Sequence, residues 1–317
     1  MYEFVRYSPE RADEWNSFLS ESVNGTFLFD RRYMDYHSDR FSDASLMVYR
    51  RGKLYALFPA NVEGTTLHSH QGLTYGGLVT GTASTASAIC ELFKALNSHL
   101  YASGIHHVVY KAVPWIYHRY PSEESLYALH NICAAKLIVR HLSSTIDLSL
   151  RPKFSESRKS GIRKAIAAGL KVMETGQEGL AGFWEVLTDN LHTKYGAHPV
   201  HTLQEMALLM HRFPQNIRLY VACAGNEIWG GTIVYDTGPV IHTQYISASP
   251  SGKRNGALDL LFDQLLRQDW GAARYFDFGK SSDNDGHSLN SSLIFQKEGF
   301  GGRGICYDWY EWDTRKE

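Results

Sequence analysis

Toward the end of the sequence stand four side chains of the kinds that move protons or steady charge. They are His242 and Tyr245 in the run Val240–Ala248, Asp277 between Phe276 and Phe278, and Lys297 in Gln296-Lys297-Glu298-Gly299. Imidazole or a desolvated carboxylate takes up a proton near neutral pH, a phenol exchanges one, and an ammonium steadies an oxyanion. Such a set suits a reaction in which one group gives up a proton while negative charge develops on another. Each residue also has a plain reading. A lone strand histidine more often packs than reacts, Asp277 can cap the turn Gly279-Lys280-Ser281, and Lys297 can face solvent in a turn after Leu293–Phe295. Strand alternation puts His242 and Gln244 on one face and Thr243 and Tyr245 on the other.

A ligand that carries phosphate needs an anion site. The polar stretch Ser251-Gly252-Lys253-Arg254-Asn255-Gly256 reads as a loop between the strand Val240–Ala248 and a helix with Leu258, Leu261, Phe262, Leu265 and Leu266 on one face. The first turn of a helix has unpaired N–H groups and a positive dipole end. Lys253 and Arg254 add charge, and Gly252 and Gly256 allow close approach of a ligand. An ordinary polar loop explains the same residues. A second basic group, Arg151, Lys153, Arg158, Lys159, Arg163 and Lys164, falls on a helix expected over Ser155–Ala168. It reads either as a solvated face or as a phosphate contact through Arg158 and Arg163. His192, His198 and His201, with Tyr195, lack metalloprotease-type spacing, so no metal site is expected.

These residues need a scaffold. A chain of 317 residues suits two domains. Hydrophobic content of 44% with 21% charged residues describes a folded chain, and a net charge of −1 argues against a general nucleic-acid binder. Cys90, Cys133, Cys223 and Cys306 are widely spaced and read as thiols in a reducing compartment. The N-terminus lacks a signal-peptide pattern and no long apolar run reads as a membrane span, so a cytoplasmic, soluble protein is expected. Strands are expected at Ser45–Arg50 and Lys53–Asn61, around Arg51-Gly52, and again at Ile217–Ala224 and Glu227–Asp236, around Gly225-Asn226. Helices are expected at Ala83–Ser103 and Leu180–Lys194 and strands at Ile105–Ala112 and Arg274–Phe278, so the second half repeats the element order of the first.

Strand, anion-friendly loop, helix, strand is the order of the acyl-CoA-binding core of the GNAT acyltransferases, which this chain resembles. It resembles most the Fem-type (FemABX) peptidyltransferases and the two-lobed acetyltransferases of polysaccharide clusters. The resemblance rests on Tyr75-Gly76-Gly77, Ile146-Asp147-Leu148, Phe276-Asp277-Phe278-Gly279 and Lys297-Glu298-Gly299-Phe300-Gly301, with Gln296 where that family usually has an aromatic residue. It implies an α/β (α+β) fold of two tandem lobes, residues 1–145 and 146–317, each a mixed, mostly antiparallel sheet flanked by helices. It implies an N-acyltransferase using acyl-CoA, acetyl-CoA first, on the amine of an amino sugar or other cell-envelope precursor. The acceptor is then a small molecule or nucleotide sugar, with Tyr75 and Gly76 shaping its cleft and Lys297 neutralising charge from a position projecting between the lobes. Arg254-Asn255-Gly256-Ala257 is a shortened form of the superfamily's phosphate-loop pattern. Fem-type transfer from aminoacyl-tRNA is the alternative, disfavoured by the lack of a long paired-helix insertion. A lobe pair that binds a ligand without catalysis is the third reading.

Overall fold

A computed structural model describes residues 1–150 and 153–314, so Arg151 of the basic group lies outside the described residues, as does the side chain of Tyr195. The chain divides into two units. Unit 1 comprises residues 1–142, 282–288 and 306–317, and unit 2 comprises residues 143–281 and 289–305.

In unit 1, strand β1 (Tyr2–Arg6) leads to helices α1 (Ala12–Glu21) and α2 (Arg31–Met34). Strands β2 (Leu46–Arg50), β3 (Lys53–Phe58), β4 (Asn61–Glu63), β5 (Thr66–His68) and β6 (Val79–Thr80) follow. Next come α3 (Ala86–Ala102), β7 (His107–Lys111), α4 (Glu124–Asn131) and the first part of β8 (Lys136–Asp147). One sheet runs β1-β2-β3-β6. Helix α3 buries Ile89, Leu92, Phe93, Leu96 and Leu100, the spacing of one helical face, against a core that includes Val108, Tyr110 and Trp312.

In unit 2 the last part of β8 precedes α5 (Glu156–Ala167), β9 (Lys171–Thr175), α6 (Gln177–Tyr195) and α7 (Leu203–Arg212). Then come β10 (Ile217–Ala224), β11 (Glu227–Asp236), β12 (Val240–Ala248), α8 (Pro250–Arg254), α9 (Ala257–Leu265), β13 (Tyr275–Lys280) and α10 (Ser291–Gly299). The closing strand β14 (Arg303–Asp313) begins here and ends in unit 1. The sheet order within unit 2 is β8-β13-β12-β11-β10-β9. Leu261, Phe262 and Leu265 of α9 pack with Phe276, Phe278 and Phe300 on one face of this sheet. Phe262 lies 5.0 Å from Phe278 and 5.4 Å from Phe300 between ring centroids. Trp184 of α6 meets Tyr245 on the opposite face.

Both units therefore build a mixed, mostly antiparallel sheet with helices, as expected for two lobes. Among the described residues each contains a parallel pairing of three residues. In unit 1, Thr66, Leu67 and His68 pair with His107, Val108 and Val109; in unit 2, Val240, Ile241 and His242 pair with Tyr275, Phe276 and Asp277. A parallel pair demands a crossover, which α3 supplies in one unit and α8–α9 in the other.

Three local expectations are corrected. The stretch after Ser249 is not an open loop: residues 250–254 form α8, because Ser249 is a good N-cap and Pro250 sits at the first helical position. Lys297 lies in the last turn of a helix, Ser291–Gly299, started by the Asn290 side chain, which accepts from Leu293 N–H at 3.2 Å. A β-bulge breaks the alternation of β12, since Ile233 pairs with Tyr245 but Val234 pairs with Thr243. The extra residue, Gln244, turns Tyr245 onto the face that carries α6.

Candidate active site

Beyond His242 the last strand turns of β12 have no ladder to β13, whose own pairing continues with β8 as far as Lys280 opposite Ser143. The two strands splay. A cavity of about 440 Å³ opens there, walled by Ile246, Ser247 and Ala248 of β12, Phe278 of β13, Leu258 and Phe262 of α9, and Leu293, Gln296 and Lys297 of α10. Arg158 of α5, Lys194 of α6 and Lys253 of α8 bring cations to it, and Asp259 brings a carboxylate. Greasy walls with a few convergent polar groups are the usual make-up of a small-molecule site.

Lys297 is 6% exposed, and its ammonium has a partner for each of its three hydrogens. It donates to Gly279 O at 2.9 Å, Lys280 O at 3.0 Å and Ser281 Oγ at 2.7 Å. Burial pushes it down to about 8, a fall that the negative charge of Asp277 opposes. The side chain is thus tied to the end of β13 within unit 2. It does not project freely, because leaving a buried ammonium without acceptors would cost more than the turn could supply.

Asp277 is fully buried on the face opposite Phe276 and Phe278. One carboxylate oxygen accepts from Ser143 Oγ, from Thr145 Oγ1 at 2.9 Å and from Gly279 N–H at 3.3 Å. The other lies 3.0 Å from His242 Nδ1. A carboxylate facing Nδ1 holds the proton there and leaves Nε2 as the basic nitrogen. Asp277 is therefore both the turn cap and the partner of His242. Gly279, at φ +74°, has no Cβ where one would come within 3.3 Å of the imidazole. Tyr245 shares the α6 face through the bulge. Its hydroxyl lies 2.7 Å from His201 Nδ1 and accepts from His201 N–H at 3.2 Å, and burial pushes the phenol up to about 12.

The anion site is where sequence and structure part. The Ser249 hydroxyl accepts from Gly252 N–H at 3.1 Å, and Lys253 and Asn255 N–H bond back to Ser249 and Ser251 carbonyls. These amides serve α8, not a ligand. Gly252 is a glycine because a Cβ would sit 2.0 Å from the Trp229 carbonyl oxygen, and a Cβ on Gly256 would sit 2.2 Å from that of Gly161. Both glycines admit other backbone closely, and both also line the cavity. Asp259 stands in the first turn of α9. It is buried and pairs with Arg158 Nη1 at 2.5 Å; burial pushes its carboxyl up, an effect Arg158 opposes. Lys253 bonds Asn190 Oδ1, and Arg254 bonds Ser251 Oγ at 3.1 Å on the surface.

Arg163 is exposed on α5, away from the face that carries Arg158 to the cavity. In unit 1, Tyr75 is buried among Phe29, Tyr117 and Tyr307, and its hydroxyl donates to Thr26 Oγ1 at 3.1 Å. A Cβ on Gly76 would sit 1.8 Å from the Ser69 carbonyl oxygen, so packing accounts for this Tyr-Gly-Gly. The structure thus brings His242, Asp277 and Lys297 together, adds Ser143, Thr145, Gly161 and Asp259, which sequence reading missed, and gives His201, weighed there only as a metal ligand, a bond to Tyr245. Of the missed residues only Asp259 left a trace, an acid three residues after Gly256 in a helix's first turn. Among the described residues no group of His, Cys, Asp and Glu is arranged to hold a metal ion, and no helix is long and apolar enough to cross a membrane.

Residues 153–286 match the family model described as "Acetyltransferase (GNAT) domain". No curated protein matches the chain in sequence. Among solved structures the chain resembles FemX, with 13% identity, a TM-score of 0.67, and 96% of each chain covered. It also resembles L-PGS from Bacillus licheniformis (15% identity, TM-score 0.58, 98% of this chain and 93% of that one). A tandem GNAT protein from the clavulanic acid biosynthesis pathway aligns over the full length of both chains at 12% identity and a TM-score of 0.52. At such identities the likeness is one of fold: two GNAT-type lobes.

Proposed function

We propose that the chain transfers an acyl group to an amine, the donor's reactive end entering the splay between β12 and β13. The observation that carries this reading is the open cavity at that splay, with Lys297 in its wall. In the reaction the amine nitrogen bonds to the acyl carbon, the bond to the donor's leaving atom breaks, and the amine gives up a proton. His242 Nε2, held by Asp277 at Nδ1, is the proton acceptor, and Tyr245 supplies a proton to the leaving group. Lys297 provides the positive charge for the oxyanion. Acyl-CoA is the first donor to test, with an amino sugar or nucleotide-linked amino sugar of the cell envelope as acceptor in the cytoplasm. The CoA phosphates would meet Lys194 and Lys253 at the cavity mouth, with Arg254 exposed on the surface of the same helix as Lys253.

One observation favours a second donor. Asp259, in the first turn of α9 and paired with Arg158, brings a carboxylate to the cavity wall, which suits a donor with an ammonium, as in an aminoacyl ester of tRNA. Turnover with acetyl-CoA and with aminoacyl-tRNA, over a panel of amino-sugar acceptors, separates the two. Charge reversal of Lys253 and Arg254 should weaken CoA binding in calorimetry by about 1–3 kcal/mol. Unchanged affinity would remove CoA phosphates from this mouth. Lys297→Ala should lower kcat by ~10²-fold with little change in KM; a raised KM at constant kcat would make Lys297 a binding group only.

A further inference from the structure

The outer face of α5 is used by nothing described above. Its buried side is Gly161 and Ala165, with Arg158 turned to the cavity. Opposite lies a stripe at i, i+4 and i+7 made of Lys159, Arg163 and Ile166, flanked by Lys164, and Lys153 and Lys171 stand exposed at either end of the helix. The helix contains one carboxylate, Glu156, which pairs with Lys159 at 2.7 Å. So concentrated a positive face is notable in a chain whose net charge is −1.

Two large apolar side chains stand exposed, one on each of the helices α5 and α10. Ile166 is 61% exposed within the cationic stripe, and Phe295 is 65% exposed on α10. Phe295 lies one turn before Gly299, whose absent Cβ would come 3.2 Å from Arg158 Cγ and Ser155 Oγ, so this face of α10 looks toward the start of α5. Leu293, Gln296 and Lys297 of α10 and Arg158 of α5 wall the cavity, while Phe295 and the cations point outward from the same two helices.

We propose that the α5–α10 face of unit 2 docks on an anionic lipid surface, the cations against headgroups and Ile166 and Phe295 entering the interface. The partner follows from the mixture. Cations on an exposed helix gain from a negative surface, and adjacent apolar chains gain from the acyl boundary. A nucleic-acid backbone would engage the cations and leave Ile166 in water. The inference depends on this surface alone and stands or falls apart from the donor reading.

The test is co-sedimentation of the full chain with phosphatidylcholine vesicles and with vesicles doped with phosphatidylglycerol, at low and at moderate salt. Binding on the order of tenfold or more in favour of the doped vesicles is expected, weakening with salt. The triple variant Lys159→Glu, Arg163→Glu, Lys164→Glu should fall to the level of neutral vesicles. The pair Ile166→Ser and Phe295→Ser should lose binding severalfold while keeping its salt dependence. Equal binding to both vesicle types would overturn the proposal. So would apolar substitutions without effect, combined with a gel shift of tRNA abolished by the charge reversals. Should the triple variant fail to fold, the salt series and the apolar pair decide alone.

Discussion

At the scale of single residues, the account turns on a lysine kept in a place that disfavours its charge. Burial lowers Lys297 to about 8 from a usual value of 10.5. If its role requires the ammonium, the acyl-transfer rate should fall as pH rises past about 8, and Lys297→Met should abolish that limb. The sign for stability is opposite. Between about 8 and 10.5 the unfolded chain binds a proton at this site that the folded chain does not, so this group's contribution to stability rises with pH across that window. Melting temperatures of wild type and Lys297→Met against pH should show the difference in slope. A wild-type rate still climbing above that value would assign Lys297 the role of a base. The type of this residue was legible in the sequence, but its setting was not. Three acceptors from Gly279–Ser281 reach it only after α10 has folded back on the end of β13, and no local pattern records that.

At the scale of elements, hydrophobic spacing reads well where one face alone decides. The strands Ile217–Ala224, Glu227–Asp236 and Val240–Ala248 keep their expected bounds, because turns and β-branched runs fix them locally. Two features escaped for physical reasons. A bulge at Gln244 depends on pairing with β11, so Tyr245 changes face without any sign in its own strand. Glycines beside cations look like a phosphate loop, yet Gly252, Gly256 and Gly161 are needed for backbone and side chain of the same chain. This supports a prediction about α5 and α9. A Cβ on Gly161 would fall 1.7 Å from Asp259 Oδ2 and 3.0 Å from Asp259 Cβ. Gly161→Ala should therefore destabilise despite its helix-propensity gain of about 1 kcal/mol, since overpacking costs ~1–3 kcal/mol, and its buried ion pair must also shift. Scanning calorimetry of Gly161→Ala, with and without Asp259→Ser, checks this. A rise in melting temperature for the single variant would show that α5 and α9 are not locked by this contact.

At the scale of the whole molecule, the two units share an element order but differ at their parallel strand pairs. In unit 1 the chain after β5 folds into the equivalent place: Ser69 N–H donates to Val109 O at 2.9 Å, and Lys111 N–H donates to Ser69 Oγ at 2.7 Å. The Lys111 ammonium then donates to Gln71 O at 3.0 Å and Leu73 O at 3.1 Å. There the parallel pairing is continued by the protein's own backbone. In unit 2 the same place opens on the cavity, so one donor site is expected in the chain, not two. The most direct test is photolabelling with an acyl donor analogue whose reactive group sits on the acyl chain, carried on CoA and, in parallel, on an aminoacyl-adenosine. Peptide mapping by mass spectrometry should place the label on Ile246–Ala248, Phe278 or Leu293–Lys297 for at least one carrier, and unlabelled donor should compete it away. Labels confined to unit 1, or no competed label from either carrier, would contradict the assignment of the donor to the β12–β13 splay.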